Sequence, residues 1–345
     1  MNLSHLRVSD LRTTEMTYDP SAPPLPELPA GPAEELAAFG RALPGKLAFA
    51  ILLAAWVTLF HLYGNATFGY IDTASLFGWL DYSYANSQDD ELGRFMPLIV
   101  LGICWWKRDE LVEVAKRPSV ACAVLVAIAL VLHALGFLVQ QTRLSVLAFY
   151  FGVYGLAGCV WGPRFLKATF FPCFLCVFCV PLGTLADTIT VPLRMMATSA
   201  TAWVSQYVLG VALIQQGSQI YDAQGTFQYE VAAACGGLRS LTATLALACI
   251  YAFITFDRDA AWKKAVMIAA ALPLAVAGNT LRLTLIIIAA EAFGQKAGNW
   301  VHDNSLLSLL PYVPAFLGLG ALGSWLRKRS AEPTVPVANP EPQTP

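Results

Sequence analysis

From Val120 to Val139 the chain runs through nineteen apolar or small residues broken only by His133, and Leu307 to Leu326 repeats the pattern with no charge at all. About 20 such residues make a helix long enough to cross the hydrocarbon of a bilayer. In that solvent the backbone must satisfy its own N–H and C=O groups, so a helix is the form available to a single segment. Across 345 residues, 57% are hydrophobic and 13% charged, against roughly 25% charged in an ordinary soluble domain. The chain therefore reads as an all-α polytopic membrane protein. Its net charge of −1, from 22 basic and 23 acidic residues, points to no nucleic-acid partner.

Hydropathy suggests about eight transmembrane helices, at 47–63, 93–107, 119–140, 143–160, 164–185, 236–256, 264–291 and 304–326. Basic residues of short loops favour the cytoplasm. They gather at Lys107-Arg108 with Lys116-Arg117, at Arg164 with Lys167, at Lys263-Lys264, and after Leu326. These clusters alternate with the spans and put both termini inside, with 64–92, 186–235 and 292–303 outside. Residues 1–45 carry acids and prolines with no apolar run before Leu47, unlike a signal peptide, and read as a disordered cytoplasmic tail. Residues 46–326 form one membrane domain, and 327–345, rich in proline, read as a second disordered tail. Within 186–235, Met195 to Val208 has the spacing of an outer-face interfacial helix. The alternation of Phe227, Tyr229 and Val231 after Asp222-Ala223-Gln224-Gly225 suggests a small β-hairpin, with an irregular loop as the alternative.

Three side chains on the outer side carry chemistry. Cys235 precedes Gly236-Gly237 at the start of a membrane helix, where free N–H groups and the helix dipole stabilise a thiolate. The two glycines let a substrate backbone approach closely. Alternatively, the thiol is a small packing group. Arg282, in Asn279-Thr280-Leu281-Arg282, is a cation within a span, which demands a partner or a task. Measured from the turn at Asp257 to Trp262, Cys235 lies about 22 residues back and Arg282 about 20 forward, so both stand roughly 30 Å up. His302 opens the last span at the same interface. A thiol, an imidazole and a guanidinium suit acyl transfer at a peptide bond: Cys235 attacks, His302 moves the proton, and Arg282 steadies the oxyanion.

At these residues the chain resembles the exosortase/archaeosortase family of membrane cysteine transpeptidases. The resemblance covers about 47–326 and rests on Ala234-Cys235-Gly236-Gly237-Leu238-Arg239, on Asn279 to Arg282, and on His302. Val191-Pro192-Leu193-Arg194 and Pro97-Leu98-Ile99 with Trp105-Trp106 are further points of likeness. Gly236 stands where the family commonly has serine, and Leu92 where a histidine often precedes the glycine. The resemblance implies catalysis by Cys235, Arg282 and His302, supported by Gly236, Gly237, Arg239 and Asn279, without cofactor or metal. It implies exported protein substrates ending in a Pro-Glu-Pro-like sorting signal, a transmembrane helix and a basic tail. These would be cut on the periplasmic side of a bacterial inner membrane and passed to water or an amine, which the sequence does not distinguish. A different class, a transporter or flippase for an anionic substrate, would use Arg282 and Arg239 but need no thiol.

Other motifs have plainer readings. Cys173, Cys176 and Cys179 share ferredoxin-like spacing, but a continuous apolar helix would rotate these thiols around its axis, so they read as packing residues. His61 and His133 read as packed or partnered, and no spacing suggests zinc. Asp89-Asp90-Glu91 reads as a solvated charge run. Glu230 is a candidate partner for Arg282 or Arg239. Pro340-Glu341-Pro342 has no span after it and reads as linker.

Overall fold

Eight apolar segments resolve into helices of unequal kinds. The structure is a computed structural model and describes residues 31–67, 71–87, 89–183, 187–225, 227–230, 238–256, 260–304 and 306–331. The tail residues outside that set, and Cys235, Gly236, Gly237 and the side chain of Glu230, lie outside the described residues. Residues up to Leu43 form a unit of their own. Its helix α1 (Pro32–Ala42) has proline in the first turn, Glu34 and Glu35 at its positive end and Arg41 at its negative end.

Among the described residues five helices are long and apolar enough to cross a membrane: Lys46–Tyr63, Val120–Leu138, Thr142–Trp161, Ala261–Phe293 and Leu307–Lys328. The expectation of about eight is corrected accordingly. They contain α2 (Lys46–Tyr63), α6 (Ala123–Leu138), α7 (Thr142–Trp161), α11 (Ala261–Phe293) and α13 (Tyr312–Ala331). Two more segments form shorter apolar helices, α4 (Leu92–Trp106) and α10 (Leu238–Thr255). The segment 164–185 breaks instead. Helix α8 (Pro163–Phe174) carries Pro172 near its end and passes into a 3-10 turn, Leu175–Cys179. Proline withdraws an N–H from the helical ladder, and the tighter turn takes over.

That turn changes the geometry of the three cysteines. At three residues per turn, Cys176 and Cys179 eclipse each other rather than rotating apart. Both are buried among Met96, Leu175 and Cys249, so they still act in packing. His133 Nδ1 lies 2.9 Å from Ser145 Oγ, and His61 Nδ1 3.1 Å from Ser75 Oγ; both imidazoles are partnered.

The 21-residue α9 (Asp187–Tyr207) and the shorter α3 (Leu76–Asn86), α5 (Arg108–Glu113) and α12 (Gln295–Asp303) complete the helical set. Ser75 caps α3, its Oγ accepting from the N–H groups of Phe77 and Gly78. The hairpin alternative holds and is extended by one strand: β1 (Leu213–Gln216), β2 (Gln219–Asp222) and β3 (Gln228–Glu230) form an antiparallel meander. Gly217 takes φ 62° in the two-residue turn between β1 and β2, a conformation that costs glycine little. One face of the sheet packs Leu213, Ile220 and Phe227 against Leu283, Ile286 and Ile287 of α11, with Ala197 of α9.

Helix α11 has 33 residues, or about 50 Å at 1.5 Å per residue, which exceeds the roughly 30 Å of hydrocarbon. The sheet and α9 pack against its C-terminal part. Antiparallel to it runs α10. Ser240 near the start of α10 donates to Asn279 Oδ1 of α11 at 3.3 Å, so the hairpin register sets these two residues side by side.

Candidate active site

Side chains from six segments meet around a cavity of about 720 Å³. Helix α3 brings Tyr84, α4 brings Arg94, α10 brings Arg239 and Ser240, α11 brings Asn279 and Arg282, and α12 brings His302 and Asp303. The linker to α13 and that helix's first residue close the wall with Pro311 and Tyr312.

Asn279 and Arg282 are three residues apart on α11 and so share a face. Arg282 donates from Nη2 to the backbone carbonyl of His302 at 3.0 Å, a charge-assisted bond that ties α12 to α11. Its Nε is buried and has no hydrogen-bond partner among the described residues. Gly278 lets the linker before α13 lie close against α11: a Cβ there would come within 2.1 Å of the Pro311 carbonyl oxygen. His302 is half-buried, and its Nδ1 lies 2.8 Å from Asp303 Oδ1. That contact orients the imidazole through an acid the sequence reading did not single out. Only its position next to His302 could have drawn attention to it.

Asp89-Asp90-Glu91, expected as a solvated charge run, is a three-way clamp. Asp90 is buried and accepts from the N–H groups of Leu182 and Gly183 at 2.8 and 3.2 Å. Glu91 Oε2 pairs with Arg239 Nη2 at 2.8 Å. Asp89 accepts from the backbone N–H of Arg239 and faces Arg194. Burial, and then Asp90 beside it, hold the Asp89 carboxyl above the usual carboxylate range. Consecutive acids look solvated because desolvating them is costly; Asp90 and Glu91 have donors that offset that cost, whereas Asp89 Oδ1 is buried without a hydrogen-bond partner among the described residues. Tyr84 donates its phenolic hydrogen to the Cys179 carbonyl, and burial raises the phenol above its ordinary range. It therefore stays a neutral donor at physiological pH.

Of the residues singled out in the sequence, Arg239, Asn279, Arg282 and His302 thus line one cavity. Cys235 and its glycines precede α10, whose first described residues form part of the same wall. Among the described residues no group of three or more His, Cys, Asp or Glu is arranged to hold a metal ion.

A multi-pass helical membrane protein with a guanidinium-rich cavity at one end of its helix bundle is the class this geometry defines. A family model described as transmembrane exosortase (Exosortase_EpsH) matches residues 79–317, more than half of the chain, and the chain belongs to that family. Neither the search of curated proteins nor that of solved structures returned a match. Family membership makes the protein an exosortase-type membrane enzyme and implies that it processes exported proteins bearing sorting signals.

Proposed function

We propose that this chain is a membrane cysteine transpeptidase or protease that cleaves C-terminal sorting signals through a thioester. The observation that carries the reading is the meeting of Arg239, Asn279, Arg282 and His302 around one cavity, at the end of the helix that follows Cys235. The substrate is an exported protein whose tail has a Pro-Glu-Pro-like motif, a transmembrane helix and basic residues. The domain 46–326 sits in a bacterial inner membrane with its cavity toward the periplasm, and both tails are cytoplasmic.

In the first step the Cys235 thiolate bonds to the scissile carbonyl carbon, and the C=O pair moves onto oxygen. Arg282, whose side chain lines the cavity and is tied to the His302 carbonyl, is the donor for that oxyanion. Collapse breaks the C–N bond, and His302 gives its proton to the departing amine. Water or an acceptor amine then attacks the thioester, returns a proton through His302 and releases the thiolate. Gly236 and Gly237 admit the substrate backbone, Arg239 lines the groove, and Asn279 holds the α10–α11 register. With its Nδ1 held by Asp303, the imidazole exchanges protons through Nε2.

The test is co-expression with a reporter ending in a Pro-Glu-Pro motif, a span and a basic tail, followed by size on a gel. Shortening with the intact chain and none with Cys235→Ala is the expected result. Equal shortening by the variant would falsify the thiol mechanism, and an anionic-substrate transporter would likewise tolerate the change.

A further inference from the structure

Helices α4, α10 and α11 each run from this cavity to a second hollow at their far ends. Glu91 precedes α4 and Trp106 ends it, Arg239 begins α10 and Phe256 follows it, and α11 carries Lys264 and Arg282. At 1.5 Å per residue the two hollows are about 22 to 27 Å apart, close to the thickness of the hydrocarbon layer.

The second hollow is about 730 Å³, and Lys107, Lys167 and Lys264 reach it from three separate segments. Glu110 is the one acid among its described lining residues, and it lies 2.9 Å from Lys107. Neither Lys167 nor Lys264 has a carboxylate partner among the described residues. Lys264 is half-buried with Nζ 4.6 Å from the centre of the Phe253 ring, and Phe253 stacks on Phe171 at 4.0 Å. Positive-inside bias accounts for lysines at this end, but not for their convergence on one concavity.

A third hollow, of about 200 Å³, adjoins it and shares Tyr154 and Phe170 with it. Its walls are apolar or aromatic: Leu147, Phe151, Cys173, Phe174, Cys176 and Val177 are among them. Trp106, Phe170 and Ile254 on the rim are about half exposed, facing where lipid would lie. A cationic chamber continuous with an apolar crevice matches an amphiphile with an anionic head.

We propose that the lysine chamber binds the phosphodiester headgroup of an anionic phospholipid from the leaflet on that side, with an acyl chain in the adjoining crevice. Basic pockets between helices at this level recognise such headgroups, and a lysine near an anionic leaflet contributes about 1 kcal/mol. The site is separate from the cavity at the other end and does not depend on how that cavity acts. It also gives the Cys173 and Cys176 side chains a role as crevice wall.

The test uses the full chain in neutral detergent, with brominated phosphatidylglycerol or brominated phosphatidylcholine as quencher of tryptophan fluorescence. Trp106 on the chamber wall is the reporting ring, checked by Trp106→Phe. The expected result is half-maximal quenching by the anionic lipid at about ten- to thirtyfold lower mole fraction, a preference lost in Lys167→Gln/Lys264→Gln. Equal quenching by both lipids, or an unchanged preference in the double variant, overturns the proposal. So does displacement of the anionic lipid by soluble glycerol phosphate at equal concentration, which would make the ligand a free phosphate. If the double variant does not fold, the comparison of the two lipids on the unaltered chain still decides.

Discussion

Around α2, α6 and α7 the buried polar groups find one another. Trp56 Nε1 donates to the Phe149 carbonyl at 3.1 Å, His133 meets Ser145, and Thr142 Oγ1 donates to Asn65 Oδ1 at 2.9 Å. Around α9, α10 and α11 the situation is reversed. Thr201 Oγ1, Ser205 Oγ, Thr244 Oγ1 and Arg282 Nε are buried without a hydrogen-bond partner among the described residues. Each such atom costs about 1–3 kcal/mol, and proteins keep few of them without reason. The contrast separates a region whose buried polar groups are paired from one that leaves these four unpaired among the described residues, of which Arg282 alone belongs to the cavity wall.

The sharpest way to break that comparison is a pair of substitutions. Arg282→Ala is expected to slow reporter cleavage about 10²–10³-fold, the loss typical of an oxyanion donor. His133→Ala should instead destabilise the protein by about 1–3 kcal/mol, because Ser145 loses its partner, with cleavage per folded molecule unchanged. Both are read by cleavage rate beside thermal unfolding in detergent. If the two variants lose cleavage only in step with their folded fraction, the division between the regions fails.

Gly278→Ala tests whether the cavity depends on close backbone approach. The added methyl would meet the Pro311 carbonyl, so the linker must move, at about 1–3 kcal/mol, and the Arg282 bond to His302 should be strained. Lower thermal stability together with slower cleavage is expected; a stable, fully active variant would contradict the geometry. Asp303→Asn should have a smaller effect, about fivefold or less on cleavage, because the Asp303 side chain is 77% exposed.

The smallest expected effect concerns pH. Asp89 titrates above the usual carboxylate range in the folded chain, so folding tightens its hold on the proton. Its ionisation then costs stability as pH rises from the unfolded value through the folded one, the reverse of a salt-bridged acid. Asp89→Asn keeps an acceptor for the Arg239 N–H and should melt higher than the unaltered chain at pH 7, with the gain vanishing toward pH 4. A variant that melts lower at pH 7 would show that attraction to Arg194 outweighs burial.

Much of this architecture was legible because hydrocarbon selects for unbroken apolar runs, and the five long helices announce themselves that way. In the sequence, a helical hairpin of constant rise sets Cys235 and Arg282 at one depth; Cys235 lies outside the described residues, and Arg239, four residues further on, lines the same cavity as Arg282. Other features depend on partners far along the chain. Glu91 and Arg239 are 148 residues apart, and nothing local distinguishes a clamped carboxylate from a solvated one. Strand β1 escaped notice because Leu213-Ile214-Gln215-Gln216 does not alternate. The break after α8 depends on how one proline sits in its helix, and apolar composition is silent on that.

Lys264 and Arg282 are fixed on one continuous helix, about 27 Å apart by its rise, so α11 acts as a ruler laid across the membrane. A tail lying beside it would be gauged against that ruler before any of its side chains were inspected. Lengthening the tail's apolar span by four residues would carry the bond above the Arg282 level by about 6 Å, more than a hydrogen bond can stretch.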